Sequence, residues 1–234
     1  TRLYDLSGNE LSAFEGSFSG FSEDGQRLVT SSRSDGKTRL YDLSGNELSG
    51  LEGSFSGFSE DGQRLVTTSR SDGKTRLYDL SGNELSALEG SFSGFSEDGQ
   101  KFAVYSTKEQ LSRFYSLSGQ SIGLALKGNF SEFSPNKQYI VTVVASEDIS
   151  LIYDTAGTLL AEYPGSVLGG RGDGLGFTPD GTQLITKSKD GLYHVWQLDY
   201  GLDDLLSRGC KWARPYLQAN RDTETRAEFC LTDY

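Results

Sequence analysis

TRLYDLSGNELS occupies residues 1–12 and recurs at 38–49 and 75–86, which sets a period of 37 residues. Residues 1–37 and 38–74 differ only at Ala13/Gly50, Phe14/Leu51 and Ser31/Thr68. The third copy follows the second through Gln100 with one change, Gly50 to Ala87, and diverges from Lys101 onward. Decayed copies continue as SRFYSLSGQ at 112–120, SLIYDTAGT at 150–158 and YHVWQLDYG at 193–201. A second marker keeps step: FSEDGQ at 21, 58 and 95, FSPNKQ at 133 and FTPDGT at 177. Self-similarity at this length decides the architecture before local propensity does. The irregular later spacings of 38 and 43 favour natural duplication over design.

One period divides into four short runs, here called a to d: GSFSGF, QRLVTT, KTRLYDL and NELSAL. They are separated by SEDG, SRSDG, LSG and an EG step, each made of turn residues, so each run reads as a strand. In RLVTT and TRLYDL both alternate positions carry apolar, aromatic or β-branched groups, so both faces of the sheet are expected to be covered. A four-stranded unit cannot bury two faces alone, and stacking neighbouring units meets that need. The reading is all-β: a β-propeller of four-stranded antiparallel blades, with Gly and Ser of run a suited to a crowded innermost strand.

Composition agrees. Among 234 residues there are 29 Gly and only 4 Pro, as expected for many short strands joined by glycine turns. The formal charge of −11, with Lys and Arg scattered through the repeats, argues against nucleic acid as a partner. No run of about 18 apolar residues offers a membrane span. Cys210 and Cys230 both fall in the tail, so the repeats are no disulfide scaffold, and a cytoplasmic location is expected.

The paired markers F-S-x-D-G and S-x-D-G-K-T-R-L-Y-D-L resemble those of the WD40-repeat family across residues 1–198. The resemblance implies that Tyr4-Asp5, Tyr41-Asp42, Tyr78-Asp79 and Tyr153-Asp154 take the family's Trp-Asp place at the end of strand c. Tyr115-Ser116 and Trp196-Gln197 are weaker versions. Two departures stand out. The family's Gly-His before strand a is Gly-Ser here, at Gly16-Ser17, Gly53-Ser54 and Gly90-Ser91, so its histidine-centred hydrogen-bond network cannot form. The period is also shorter than the usual 40 or so.

Strand sets begin near residues 17, 54, 91, 128 and 173, and a lone c–d pair fills 1–14. Five nearly complete blades plus an N-terminal half blade are therefore expected in 1–198. Upstream blades, or oligomerisation, are expected to close the ring, since an open ring exposes strand edges. Residues 199–234 change period, and LDDLLSRGCKWARPYL reads as an amphipathic helical cap broken at Gly209 and Pro215. The run LDDLLSRGCKWARPYLQAN also resembles the C-terminal end of large cyanobacterial WD-repeat signalling proteins.

Candidate chemistry is sparse. His194 is the one histidine, so no histidine metal cluster is available and any Ser-His-Asp device would depend on it. Glu23-Asp24, Glu60-Asp61 and Glu97-Asp98 repeat in turns, where Asp-Gly serves hairpin geometry. GGRGDGLG at 169–176 does not lead from a strand into a helix, and its Arg171-Gly172-Asp173 is a tripeptide that arises by chance. No catalytic, cofactor-binding or metal-binding residue is assigned, and no cofactor is expected. Strand alternation places the b–c turns and d–a steps on one face of the ring. That face carries Arg33, Arg70, Glu15, Glu52 and Glu89, the candidate partner-binding residues. The expected function is a non-catalytic scaffold for protein–protein interaction, the recognition module of a larger signalling protein. Alternatives are a small-ligand-binding or enzymatic propeller using the central channel, and a recently amplified or engineered repeat assembly.

Overall fold

Each Ser-Glu-Asp-Gly turn is closed by its own side chains. Ser22 Oγ donates to Asp24 at 2.6 Å, and the same carboxylate accepts the Gln26 N–H at 2.9 Å. Ser22 Oγ also accepts the Arg27 N–H at 3.0 Å, while Gly25 takes φ 63°, which glycine adopts without steric cost. Ser59 with Asp61, Ser96 with Asp98, Ser134 with Asn136 and Thr178 with Asp180 repeat the arrangement. The Tyr-Asp carboxylate anchors the c–d turn in the same way, Asp42 accepting both the backbone N–H and the amide of Asn46. Turn chemistry of this kind fixes where each strand must reverse.

The resulting architecture, seen in a computed structural model that describes residues 1–96, 98–167, 175–198 and 210, is all-β. An N-terminal hairpin joins β1 (Arg2–Tyr4) to β2 (Glu10–Ala13). The first four-stranded sheet orders β3 (Ser17–Phe21), β4 (Arg27–Ser31), β5 (Lys37–Asp42) and β6 (Glu47–Glu52). The second runs through β7 (Ser54–Phe58), β8 (Arg64–Ser69), β9 (Lys74–Asp79) and β10 (Glu84–Glu89). The third holds β11 (Ser91–Phe95), β12 (Lys101–Ser106), β13 (Leu111–Ser116) and β14 (Ser121–Lys127). The fourth holds β15 (Asn129–Phe133), β16 (Tyr139–Val144), β17 (Ile149–Asp154) and β18 (Leu159–Pro164). A fifth sheet has three described strands, β19 (Gly176–Phe177), β20 (Gln183–Lys187) and β21 (Tyr193–Gln197). All neighbours within a sheet are antiparallel. All delimited elements are strands; the helical reading of 199–234 lies outside the described residues, apart from Cys210, which is in helical conformation and disulfide-bonded.

The core lies between sheets, as two-sided strands require. Val29, Leu40 and Leu51 of the first sheet pack on Leu65 and Tyr78 of the second. Val66 and Leu77 of the second sheet pack on Phe102 and Val104 of the third. One face of a strand therefore serves the preceding sheet and the other the following sheet. In strand a the alternation is broken by a bulge: the register shifts between Phe18 and Gly20, Phe55 and Gly57, Phe92 and Gly94, and Phe130 and Glu132. The extra residue moves the later Phe onto the side of the earlier one. Phe18–Phe21, Phe55–Phe58 and Phe130–Phe133 consequently form ring pairs 5.2 Å apart, and Phe92–Phe95 a pair at 5.0 Å. At the first three bulges a glycine makes room for the next sheet: a Cβ on Gly94 would stand 3.1 Å from the Phe130 ring.

Candidate functional site: the face of b–c turns and d–a steps

Hydroxyl groups build this face. On strand b, Thr30 donates to the Glu15 carbonyl at 2.5 Å and Thr67 to the Glu52 carbonyl at 2.6 Å. On strand c, Thr38 donates to Gly53 O at 2.8 Å, Thr75 to Gly90 O at 2.9 Å and Ser112 to Gly128 O at 2.8 Å. The acceptors are carbonyls of the d–a step, buried or half-buried groups that need a donor. Short Thr and Ser side chains thus hold the d–a step in place, a network that the Gly-Ser pairs of the sequence did not announce.

A backbone bond then ties each d–a step to the b–c turn of its own sheet: Gly53 N to Gly36 O at 3.0 Å and Gly90 N to Gly73 O at 2.8 Å. Gly128 to Gln110 and Gly165 to Asp148 repeat it at 2.9 and 2.7 Å. Turn and step therefore share one end of every sheet, so Arg33 comes beside the Glu52 step and Arg70 beside the Glu89 step. Arg33, Arg70, Glu15, Glu52 and Glu89 are all exposed. The glutamates are not bare. Glu52 faces Lys37 at 3.6 Å, Glu89 faces Lys74 at 3.4 Å, and Glu15 reaches Arg39 at 3.4 Å. Sequence reading missed Lys37 and Lys74 because they sit on strand c, opposite the acid in the c–d register: Lys37 pairs with Glu52 and Lys74 with Glu89. Exposed pairs of this kind contribute about 1 kcal/mol or less, so they shape the charge pattern more than the stability. Arg39 and Arg76 hold the Asp35 and Asp72 carboxyls below the ordinary range, Asp35 down to about 2. Among the described residues Arg33 and Arg70 enter no ion pair, leaving two guanidinium groups in step along the face.

The other candidates resolve as turn chemistry. Ser188 Oγ lies 3.2 Å from His194 Nε2 but also donates to Asp190, while the imidazole stacks on Trp196 at 5.6 Å. The carboxylate holds the serine, whereas a catalytic triad needs it on the histidine. Glu132 is a different case. It replaces the small residue of run a, lies against Gly176 and accepts the Phe177 N–H at 2.8 Å. Burial pushes its carboxyl up from the ordinary value. The break from SFSGF to NFSEF was the visible signal for it. Among the described residues no group of three or more His, Cys, Asp or Glu is placed to hold a metal ion. Arg171-Gly172-Asp173 lies outside the described residues.

No family model matches the chain, and no curated protein matches it. Solved structures do. A chain of the mitotic checkpoint complex aligns at TM-score 0.55 and 16% identity over 85% of this chain and 68% of its own. The Cps50 (Swd1) β-propeller domain of Myceliophteria thermophila aligns at 0.53 and 13%, covering 85% and 77%. A putative 6-phosphogluconolactonase from Bacteroides uniformis aligns at 0.51 and 13%, covering 78% and 67%. At such identities the likeness concerns the fold alone, and it is shared by proteins of unlike function. With its stacked four-stranded sheets, the chain has a WD40-like β-propeller fold.

Proposed function

We propose that the chain is a non-catalytic scaffold that binds a protein partner through the face of b–c turns and d–a steps, as the recognition module of a larger signalling protein. The carrying observation is the bond from each d–a glycine to its own b–c turn, which in the first two sheets joins the turn that carries an exposed arginine to the step that carries an exposed glutamate. Arginine is favoured at the centre of protein interfaces because its planar fork binds carboxylates in two places and stacks on aromatic rings. Repeating one such group at a fixed spacing gives a surface that an extended acidic partner can engage at two points.

The test uses the full chain, immobilised, to retain candidate partners from an extract, each then measured singly by titration. A variant with Arg33, Arg70, Glu15, Glu52 and Glu89 all changed to Ala should keep its fold, because the positions are exposed. It should bind at least about tenfold more weakly, as expected if two or more anchoring side chains are lost. Unchanged affinity overturns the surface assignment. A small-ligand reading of the channel is favoured by one observation, the half-buried Glu132 carboxyl. Melting that rises with an added metal or ligand, and fails to rise in Glu132→Gln, would support it.

A further inference from the structure

The opposite face, where the a–b and c–d turns lie, is filled at one junction between sheets and hollow at the next. Between the second and third sheets, Leu117 of the c–d turn packs onto the cluster of Phe95, Phe102 and Tyr115. The same leucine of the repeat stands at Leu43 and Leu80. In the fourth sheet that position is Thr155, from TAG in place of LSG. Where the leucine is missing there is a cavity of about 420 Å³ between the third and fourth sheets, with Thr155 and Ala156 on its wall. The size is that of a small-molecule site.

Two further departures from the repeat meet in the same cavity. Run d of the third sheet is one residue longer, SIGLALK, and its Gly123, at φ 79°, has open space where a Cβ would be. The a–b turn of the fourth sheet carries Lys137, at φ 59°, where Gly25, Gly62, Gly99 and Gly181 stand in the other turns at φ 63–70°. A lysine there accepts a left-handed conformation that glycine takes freely. The floor is apolar, made by Phe114, Phe133, Ile140 and Leu124, and the rim carries Lys101 and Lys137 with a single described carboxylate, Asp98. Hydrogen bonds from Ser96 and the Gln100 backbone hold Asp98 ionised, and Lys101 of the same sheet and Lys137 across the junction add to that effect.

We propose that this cavity binds a small amphipathic anion, a carboxylate carrying an alkyl or aryl chain. The chain would lie on Ile122, Leu124 and Phe133, over the buried Phe114 and Ile140, and the carboxylate between the Lys101 and Lys137 ammonium groups. The site is separate from the partner-binding face, since the two lie at opposite ends of the strands.

Isothermal titration of the full chain with octanoate tests this, with octylamine and 1-octanol as probes of the same length and other charge. Octanoate should bind once per chain, at least about fivefold more tightly than either comparator, because two ammonium groups meet one carboxylate. Thr155→Leu restores the filling residue and should abolish binding while leaving the melting temperature equal or higher. Lys137→Gly restores the repeat's turn residue and should weaken octanoate at least about fivefold without lowering stability, 1-octanol binding being unchanged. Absence of saturable octanoate binding, equal binding of octylamine, or full binding by the Thr155→Leu variant overturns the proposal.

Discussion

Residues 1–12 and 38–49 have the same sequence and fold into the same c–d hairpin, yet they meet different surroundings. In both, the carboxylate of the Tyr-Asp pair accepts from an asparagine four residues on, Asp5 from Asn9 and Asp42 from Asn46. Tyr41 is 4% exposed and Tyr4 50%; Leu43 is 37% exposed and Leu6 fully so. The difference is the neighbour. Tyr41 lies against Phe14 at 5.2 Å in an edge-on contact and packs with Leu3 and Leu28, whereas no described sheet lies on the Tyr4 side of the hairpin. A repeat thus encodes its own turns and pairing, while its burial is supplied by the unit beside it.

The sharpest way to break this comparison is to delete the two tyrosines in turn. Tyr41→Ala should cost about 3 kcal/mol in urea unfolding, the usual loss for a buried aromatic, and Tyr4→Ala less than about 1 kcal/mol. Equal costs would mean that burial follows the repeat rather than the neighbour. Glycines offer a second, smaller contrast. Gly53→Ala should cost about 2 kcal/mol, because φ is 92° and the new Cβ would stand 2.9 Å from the Thr68 backbone. Gly8→Ala, at φ 88° in open space, should cost about 1 kcal/mol, the left-handed penalty alone.

The smallest effects sharpen the shared half of the comparison. Asn9 and Asn46 each hold the facing carboxyl below the ordinary range, so NMR titration should find Asp5 and Asp42 depressed alike despite their unlike surroundings. Such groups stabilise the fold above the ordinary carboxylate value of about 4 and lose that contribution as pH falls through the depressed value. Glu132 has the opposite sign. Its raised carboxyl is tolerated below the ordinary value and becomes unfavourable as pH rises through the raised one. Glu132→Gln should therefore melt higher than the parent at neutral pH, with the gain vanishing toward about pH 4. A gain independent of pH would contradict ionisation as its cause.

Much of this was legible in the sequence because turn chemistry is local. Ser-x-Asp-Gly and Asp-Leu-Ser-Gly-Asn name their own hydrogen bonds, and the strands fall within a residue or two of the runs between them. The shared end of b–c turns and d–a steps followed from strand direction alone. The strand a bulge did not show, since SFSGF reads as plain alternation and places Phe18 and Phe21 on opposite faces. Lys37 and Lys74 escaped the candidate face because their pairing with Glu52 and Glu89 is set by strand register. The cavity at Thr155 is not a property of any one repeat; it arises where one copy omits what the neighbouring junction requires.

The bulges have a consequence for solubility. Strand a is the terminal strand of every four-stranded sheet, and a chain of near copies offers several equivalent edges, each a template for the matching strand of another molecule. Straight edges of identical sequence would invite slipped, in-register growth from molecule to molecule. The residue inserted at Ser19, Ser56, Ser93 and Ser131 interrupts the row of backbone donors and acceptors after two pairs. An incoming strand without the same insertion would lose register there. An irregularity that the sequence does not announce thus makes each of these edges a poorer template for its own copies.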